Sequence, residues 1–175
     1  TINGSGTVTG ISAGGLPDGV ITTDDIAANA VTPAKLATTV VGPAFSAYQS
    51  SAQSFTNGVF TKVALQTEEF DTASCFDNNT NYRFTPNVAG YYQFNLSAYF
   101  ANASQVELAL QLYKNGNGWR YIANAITPVG RMVNGSIVVY MNGSTDYVEM
   151  YLYTSISGSA TTVQTMMSGC LIRPA

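Results

Sequence analysis

Gly90-Tyr91-Tyr92-Gln93-Phe94-Asn95-Leu96-Ser97-Ala98-Tyr99-Phe100 alternates without a break. Tyr92, Phe94, Leu96, Ala98 and Phe100 fall on one side; Gln93, Asn95, Ser97 and Tyr99 fall on the other. Successive side chains of an extended chain point to opposite faces, so this is a strand with one face buried. The same period recurs outward from it. Val106, Leu108, Leu110 and Leu112 mark a buried face in 106–113, and Val148, Met150 and Leu152 mark one in 147–153. Asn115-Gly116 and Asn142-Gly143 are dipeptides that hairpin turns favour. Short strands with regular turn signals and no long helical period predict an all-β two-sheet sandwich.

Two segments break the alternation. Ile137-Val138-Val139-Tyr140-Met141 is apolar on both faces, as is much of Val163 to Ile172. A strand apolar on both faces is covered on both. One cover is the sandwich core, and the other is either a second subunit or overlying loops.

Composition narrows the function. Charged residues make up only 10% of the 175 residues, against roughly 25% in ordinary soluble domains. Asn, Thr, Ser, Gln and Gly supply the remaining polarity, which suits secreted, viral or fibrous assemblies and burial in an oligomer. The seven Lys and Arg are scattered, so no basic stripe is present to neutralise phosphates, and nucleic acid is not an expected partner. No apolar run approaches the ~20 residues that span a bilayer as a helix, so membrane insertion is not expected. The sequence holds no His, which removes Ser-His and Cys-His nucleophilic catalysis. Asp24-Asp25 and Glu68-Glu69 are sequence neighbours; in an extended chain such pairs point apart, so neither is a ready acid/base couple. No catalytic residue, cofactor or metal site is expected. Asp77-Asn78-Asn79-Thr80-Asn81 is rich in oxygen but offers a single carboxylate, so a polar loop is the better reading than a calcium site. Cys75 and Cys170 are either bonded or two buried thiols.

Residues 1–42 contain no aromatic side chain, whereas 43–175 contain all of them. The first segment is therefore read as an extended attachment or stalk region and the second as the globular domain. The opening Thr1-Ile2-Asn3-Gly4-Ser5-Gly6 reads as the start of a fragment or processed product. Ile21-Thr22-Thr23-Asp24-Asp25-Ile26-Ala27 aligns with Val31-Thr32-Pro33-Ala34-Lys35-Leu36-Ala37 ten residues later. Each copy reads as one helical turn, with Thr22 and Thr32 as N-caps and Pro33 at the first helical position. Single turns are not stable alone; Ile21, Ile26, Val31 and Leu36 are the apolar positions that pack on neighbouring chains.

Tyr82-Arg83-Phe84-Thr85-Pro86, then Gly90-Tyr91-Tyr92-Gln93-Phe94, and the closing Ser168-Gly169-Cys170-Leu171-Ile172 resemble the signature of a known jelly-roll family. It is the one shared by the globular head of complement component 1q and by tumour necrosis factor. The resemblance follows the segments in order across 43–175 and implies a ten-stranded two-sheet jelly-roll sandwich that forms a homotrimer and binds other molecules. It places 136–141 and 163–172 in the sheet lining the threefold axis, and implies a trimer interface of Tyr82, Val138, Val139, Tyr140, Met141, Met166 and Met167. The family often has Phe where this chain has Cys170, which predicts different core packing there. Residues 1–42 lack a collagen-like Gly-X-Y run.

The stretch Asp18–Ala37 resembles a short motif of bacteriophage tail fibres and other phage structural proteins. With the jelly roll, it implies a non-enzymatic virion protein, the distal part of a trimeric tail fibre that binds host-surface polysaccharide. The alternative is a capsid decoration or head-fibre protein with the same trimeric fold. Other virion structural proteins are the implied partners, and the virion, extracellular once assembled, is the implied location. A polysaccharide-degrading tailspike would need paired acidic residues in a groove, which are not visible. Tyr99, Tyr113, Tyr147, Tyr151 and Tyr153 lie opposite the expected core faces. Trp119, Arg120 and Tyr121 are expected in a loop after the 106–115 strand, as a candidate ligand-binding tip or as buried contacts.

Overall fold

The computed structural model describes residues 22–28, 30, 42–101, 105–127, 131–160 and 164–175. The chain divides into two units, Thr1–Ala37 and Thr38–Ala175. In the first, the expected turn is present as a 3-10 turn at Thr23–Asp25. Its cap runs opposite to expectation. The Thr22 hydroxyl and backbone N–H both donate to Asp25 Oδ2, at 2.7 and 2.9 Å. The acidic side chain, not the threonine oxygen, satisfies the leading N–H, as the second arm of a capping box does. Ile26 is exposed. Ile21, Val31 and Leu36 lie outside the described residues, as do Thr32 and Pro33.

The described residues of the second unit build a β fold. Its strands are β1 (Ala44–Tyr48), β2 (Gln53–Phe55), β3 (Thr61–Lys62), β4 (Thr67–Asp71), β5 (Phe76–Asp77) and β6 (Arg83–Phe84). They continue as β7 (Gly90–Ala101), β8 (Val106–Lys114), β9 (Asn117–Thr127), β10 (Arg131–Met141), β11 (Val148–Thr154), β12 (Gly158–Ala160) and β13 (Met166–Pro174). All pairings are antiparallel and form two sheets. Sheet A runs β2-β12-β7-β13-β1-β4, with β10 along the other edge of β7. Sheet B runs β5-β6-β11-β8-β9, with β3 also on β11. The long strand β7 organises sheet A: β10 pairs with all of it from Gly90 to Phe100, while β13 and β12 share its opposite edge.

The alternating faces fill the space between the sheets. Tyr92, Phe94, Leu96, Ala98 and Phe100 face Val106, Leu108, Leu110, Leu112, Val148, Met150 and Leu152, and all are buried. At one end, Phe45 stacks on Phe76 and Phe84, with centroids 4.8 and 4.5 Å apart, and Phe84 meets Phe94 edge-on at 5.7 Å. These rings explain Gly169 in the closing signature. A Cβ there would stand 2.6 Å from Phe94 Cδ1 and 2.9 Å from Phe45 Cε1, so β13 crosses the ring stack only without a side chain. Tyr92 donates its hydroxyl to the Val88 carbonyl at 2.7 Å. Burial, and then the nearby Cys75, push its phenol up to about 12.

Several strands are absent from the sequence reading, β2, β5, β9 and β12 among them. The most consequential is β9, because Trp119, Arg120 and Tyr121 lie on this strand, paired with β8, and not in a loop. Asn115 and Gly116 make the expected hairpin turn between β8 and β9, with φ of 54° and 78°. Asn142-Gly143 makes no hairpin. It carries the chain from β10 in sheet A to β11 in sheet B, and Asn142 Oδ1 accepts the N–H groups of Ser144, Thr145 and Asp146 at 2.9–3.0 Å. Gly143 has φ of 72°, and a Cβ on it would run into the backbone of Val88 and Ala89. Gly143→Ala is therefore expected to destabilise the domain by about 1–3 kcal/mol, read as a lower melting temperature with unchanged oligomeric state. The cysteines are free; Cys75 is buried, and Cys170 is exposed on β13 instead of packing in the core.

Candidate functional site

Two outward sheet faces remain after the core is formed. On sheet A, the register of β10, β7 and β13 lays side chains in rows. Tyr140 lies beside Tyr91; Val138 beside Gln93 and Cys170; Ser136 beside Asn95 and Ser168; Asn134 beside Ser97 and Met166; Met132 beside Tyr99. The face is thus apolar at both ends and hydroxyl- and amide-rich in its middle. Tyr91, Met132, Val138, Tyr140 and Ile172 are between 45% and 53% exposed. A shallow trough of about 400 Å³ runs over the central rows, between Met132 and Met166. The Ser97 Oγ beneath it is buried without a hydrogen-bond partner among the described residues.

This divides the residues expected at a trimer contact. Val138 and Tyr140 point outward, and Met166 is half-buried on the same face. Val139, Met141 and Met167 point the other way and are at most 2% exposed, within the core of their own chain. They are core residues, because one strand offers only alternate positions to a neighbour. Tyr82 directly precedes β6 of sheet B, so it adjoins the opposite sheet.

The outward face of sheet B is aromatic. Tyr113 and Tyr151 stack with centroids 3.6 Å apart. Beside them the nearly buried Glu149 accepts from Lys62 Nζ at 2.6 Å. Burial, then the charge of Glu149, raises the Tyr151 phenol above its ordinary range. Arg83 lies 4.3 Å over the Tyr147 ring. Further along, Phe60 contacts Tyr121 at 5.8 Å and Tyr153 at 5.3 Å. These three rings wall a depression with Ala109, Glu107 and Asn124, in which Asn124 Nδ2 donates to Glu107 Oε1 at 3.2 Å.

Of the three expected ligand residues, only Tyr121 presents an open ring, 61% exposed. Trp119 is half-buried against the core, and Arg120 lies 4.7 Å over its ring while donating to its carbonyl. The sequence reading missed Phe60, Glu107 and Asn124. Each is an ordinary residue in its own segment, and pairing alone brings them together.

The one carboxylate of the loop 77–81 is turned onto the loop's own donors. Asp77 accepts from the N–H groups of Asn79, Thr80 and Asn81 and from the Asn81 amide. The backbone donors of Thr80 and Asn79, foremost, lower its carboxyl from 3.8 to about 2. The native value is the depressed one, so the stabilisation is complete above 3.8 and is lost as pH falls through about 2. Amide NMR signals of Asn79–Asn81 should titrate with a midpoint near 2 and not near 3.8. Asp77→Asn should remove that transition.

No family model and no curated protein matches this sequence. Solved structures do match. The globular domain of a zebrafish complement 1qA protein is 16% identical, with a TM-score of 0.55 over 77% of this chain and 99% of that one. Murine APRIL at pH 8.0 is 8% identical, with a TM-score of 0.56 over 74% and 98%. The same murine protein at pH 8.5 gives 0.55 over the same shares. At such identities the likeness is one of architecture. The chain shares its two-sheet antiparallel jelly-roll fold with the complement 1q globular domain and with APRIL.

Proposed function

We propose that this chain is a non-enzymatic bacteriophage virion protein, a jelly roll that trimerises through the outward face of sheet A. In this reading it is the distal part of a tail fibre. The observation that carries the assembly is the row of exposed apolar side chains on β10, β7 and β13, Val138 and Tyr140 foremost. A soluble protein rarely leaves such a strip uncovered, and the expected trimer covers it with two further copies of itself. The phage setting is supported by the likeness of Asp18–Ala37 to tail-fibre motifs. Through that segment the chain would meet other virion proteins.

The carboxylates with resolved partners support a binding role over a hydrolytic one. Glu149 is paired with Lys62, Asp146 with Lys114, and Asp77 with its own loop. Host-surface polysaccharide is the proposed ligand, held through avidity: three weak sites on one rigid head act together. Cryo-EM localisation of the chain on intact particles tests the assignment. Density at the tail tip supports it. Density on the capsid surface makes the chain a decoration or head-fibre protein. Release of reducing ends from host capsule or lipopolysaccharide would overturn the non-enzymatic reading.

A further inference from the structure

The depression on sheet B combines features that fit one ligand class. Phe60, Tyr121 and Tyr153 come from the loop before β3, from β9 and from β11, and enclose a space of about 100 Å³ floored by the buried Ala109. Their rings are not co-planar, with interplanar angles of 70° between Phe60 and Tyr121 and 40° between Phe60 and Tyr153. They form the walls of a shallow bowl, not a flat stacking platform. At its rim the Asn124 amide fixes Glu107 through Oε1. Among the described residues, Glu107 Oε2 and Asn124 Oδ1 take no hydrogen bond. Arg120, next to Tyr121 in the sequence, is occupied with Trp119.

We infer that this bowl binds a single neutral pyranose residue of a glycan. One face of a pyranose is an array of C–H groups, which aromatic walls accept; its edge carries adjacent hydroxyls, which donate to acceptors held side by side. The bowl supplies both, in the pattern of an apolar pocket with a few fixed polar groups. The carboxylate disfavours acidic sugars through like charge, and the net charge of −3 adds to this. Charge-assisted hydrogen bonds from sugar hydroxyls to Glu107 give the discrimination. The volume admits one ring face, so affinity per site is low. Sheet B is the face opposite the proposed trimer contact, which leaves three copies open at once. The inference rests on the adhesion reading only for the source of the glycan.

The test is saturation-transfer NMR on the full chain, with the methyl glycosides of glucose, galactose and mannose as probes and methyl glucuronide as the acidic comparison. At least one neutral glycoside should receive transfer to its ring protons, and the glucuronide much less. Tyr121→Ala removes an exposed ring and should weaken binding at least tenfold. Glu107→Gln should weaken it severalfold while retaining contact to the C–H face. Phe70→Ala, an exposed ring on β4, should leave binding unchanged. No transfer to any neutral glycoside overturns the inference, as does transfer unaffected by Tyr121→Ala or lost equally with Phe70→Ala. Attachment of fluorescent protein to host cells is scored separately. Attachment without glycoside binding sinks the bowl and spares adhesion; glycoside binding without attachment does the reverse.

Discussion

Val138→Asp is expected to yield a folded monomer where the wild type assembles into the proposed trimer. Val138 lies on the outward face of β10 beside Gln93, which separates it from Cys170, and is 52% exposed in the single chain. A carboxylate there is solvated in the monomer, so the sandwich and its melting curve should change little. In the assembled state the same charge is buried without a partner. One such charge costs about 3–5 kcal/mol, which alone weakens association by about two to three and a half orders of magnitude, and the symmetry repeats it in every contact. Light scattering at micromolar concentration reads the result directly. Val139→Asp, one position along, is the contrasting variant. Its side chain is 2% exposed and faces the core, so it should abolish folding and not merely assembly. A Val138→Asp protein that stays trimeric would remove sheet A from the interface.

Phe84→Ala should produce the largest loss of stability in the domain short of unfolding it. The ring is completely buried, stacks on Phe45 at 4.5 Å, and meets Tyr92 and Phe94 edge-on at 5.6 and 5.7 Å. Its strand is only two residues long, so the backbone offers little else to hold that end of sheet B to sheet A. Removing a buried Phe costs about 3–5 kcal/mol through lost transfer energy and the cavity left behind. At about 2–4 °C per kcal/mol in a domain of this size, the melting temperature falls by roughly 6–20 °C. Oligomers melt in a concentration-dependent way, so the comparison belongs at equal protomer concentration or in the Val138→Asp background.

The core strands were legible because each buries one face and keeps a clean period of two. β7, β8 and β11 show this, and the residues the alternation picks out are all buried, although Ala109 and Glu149 on the other face are covered as well. β9 was not legible for the same physical reason inverted. It is an edge strand with two register shifts against β8, between Leu110 and Gln111 and between Leu112 and Tyr113. Each shift resets which residues face in, so Trp119 turns to the core while Tyr121 turns to solvent. The doubly apolar run 137–141 leaves Val138 and Tyr140 exposed in the single chain. Periodicity alone does not say which of two alternating sets is inside, and Val139 and Met141 proved to be the inner set. The bowl was legible only through Tyr121 and Tyr153, and not as a site. Phe60, Glu107, Asn124 and Tyr153 belong to four segments, and sheet order, which no local pattern encodes, makes them neighbours.

The place of β13 has a consequence for how the molecule is made. It lies between β7 and β1, bonded to both, and pairs Met166–Cys170 with β1, the first of the described strands. During synthesis, sheet A therefore waits with its centre missing. β1 and β7 have emerged with their facing edges unpaired, and their ring-rich inner faces lack the segment that brings them together. Folding is then a late closure event dominated by contacts between distant parts of the chain, the kind that proceeds slowly and leaves open edges to meet other chains. Nascent copies held close together on one message would expose those edges to each other, so the step most vulnerable to aggregation is the interval before the final strand arrives.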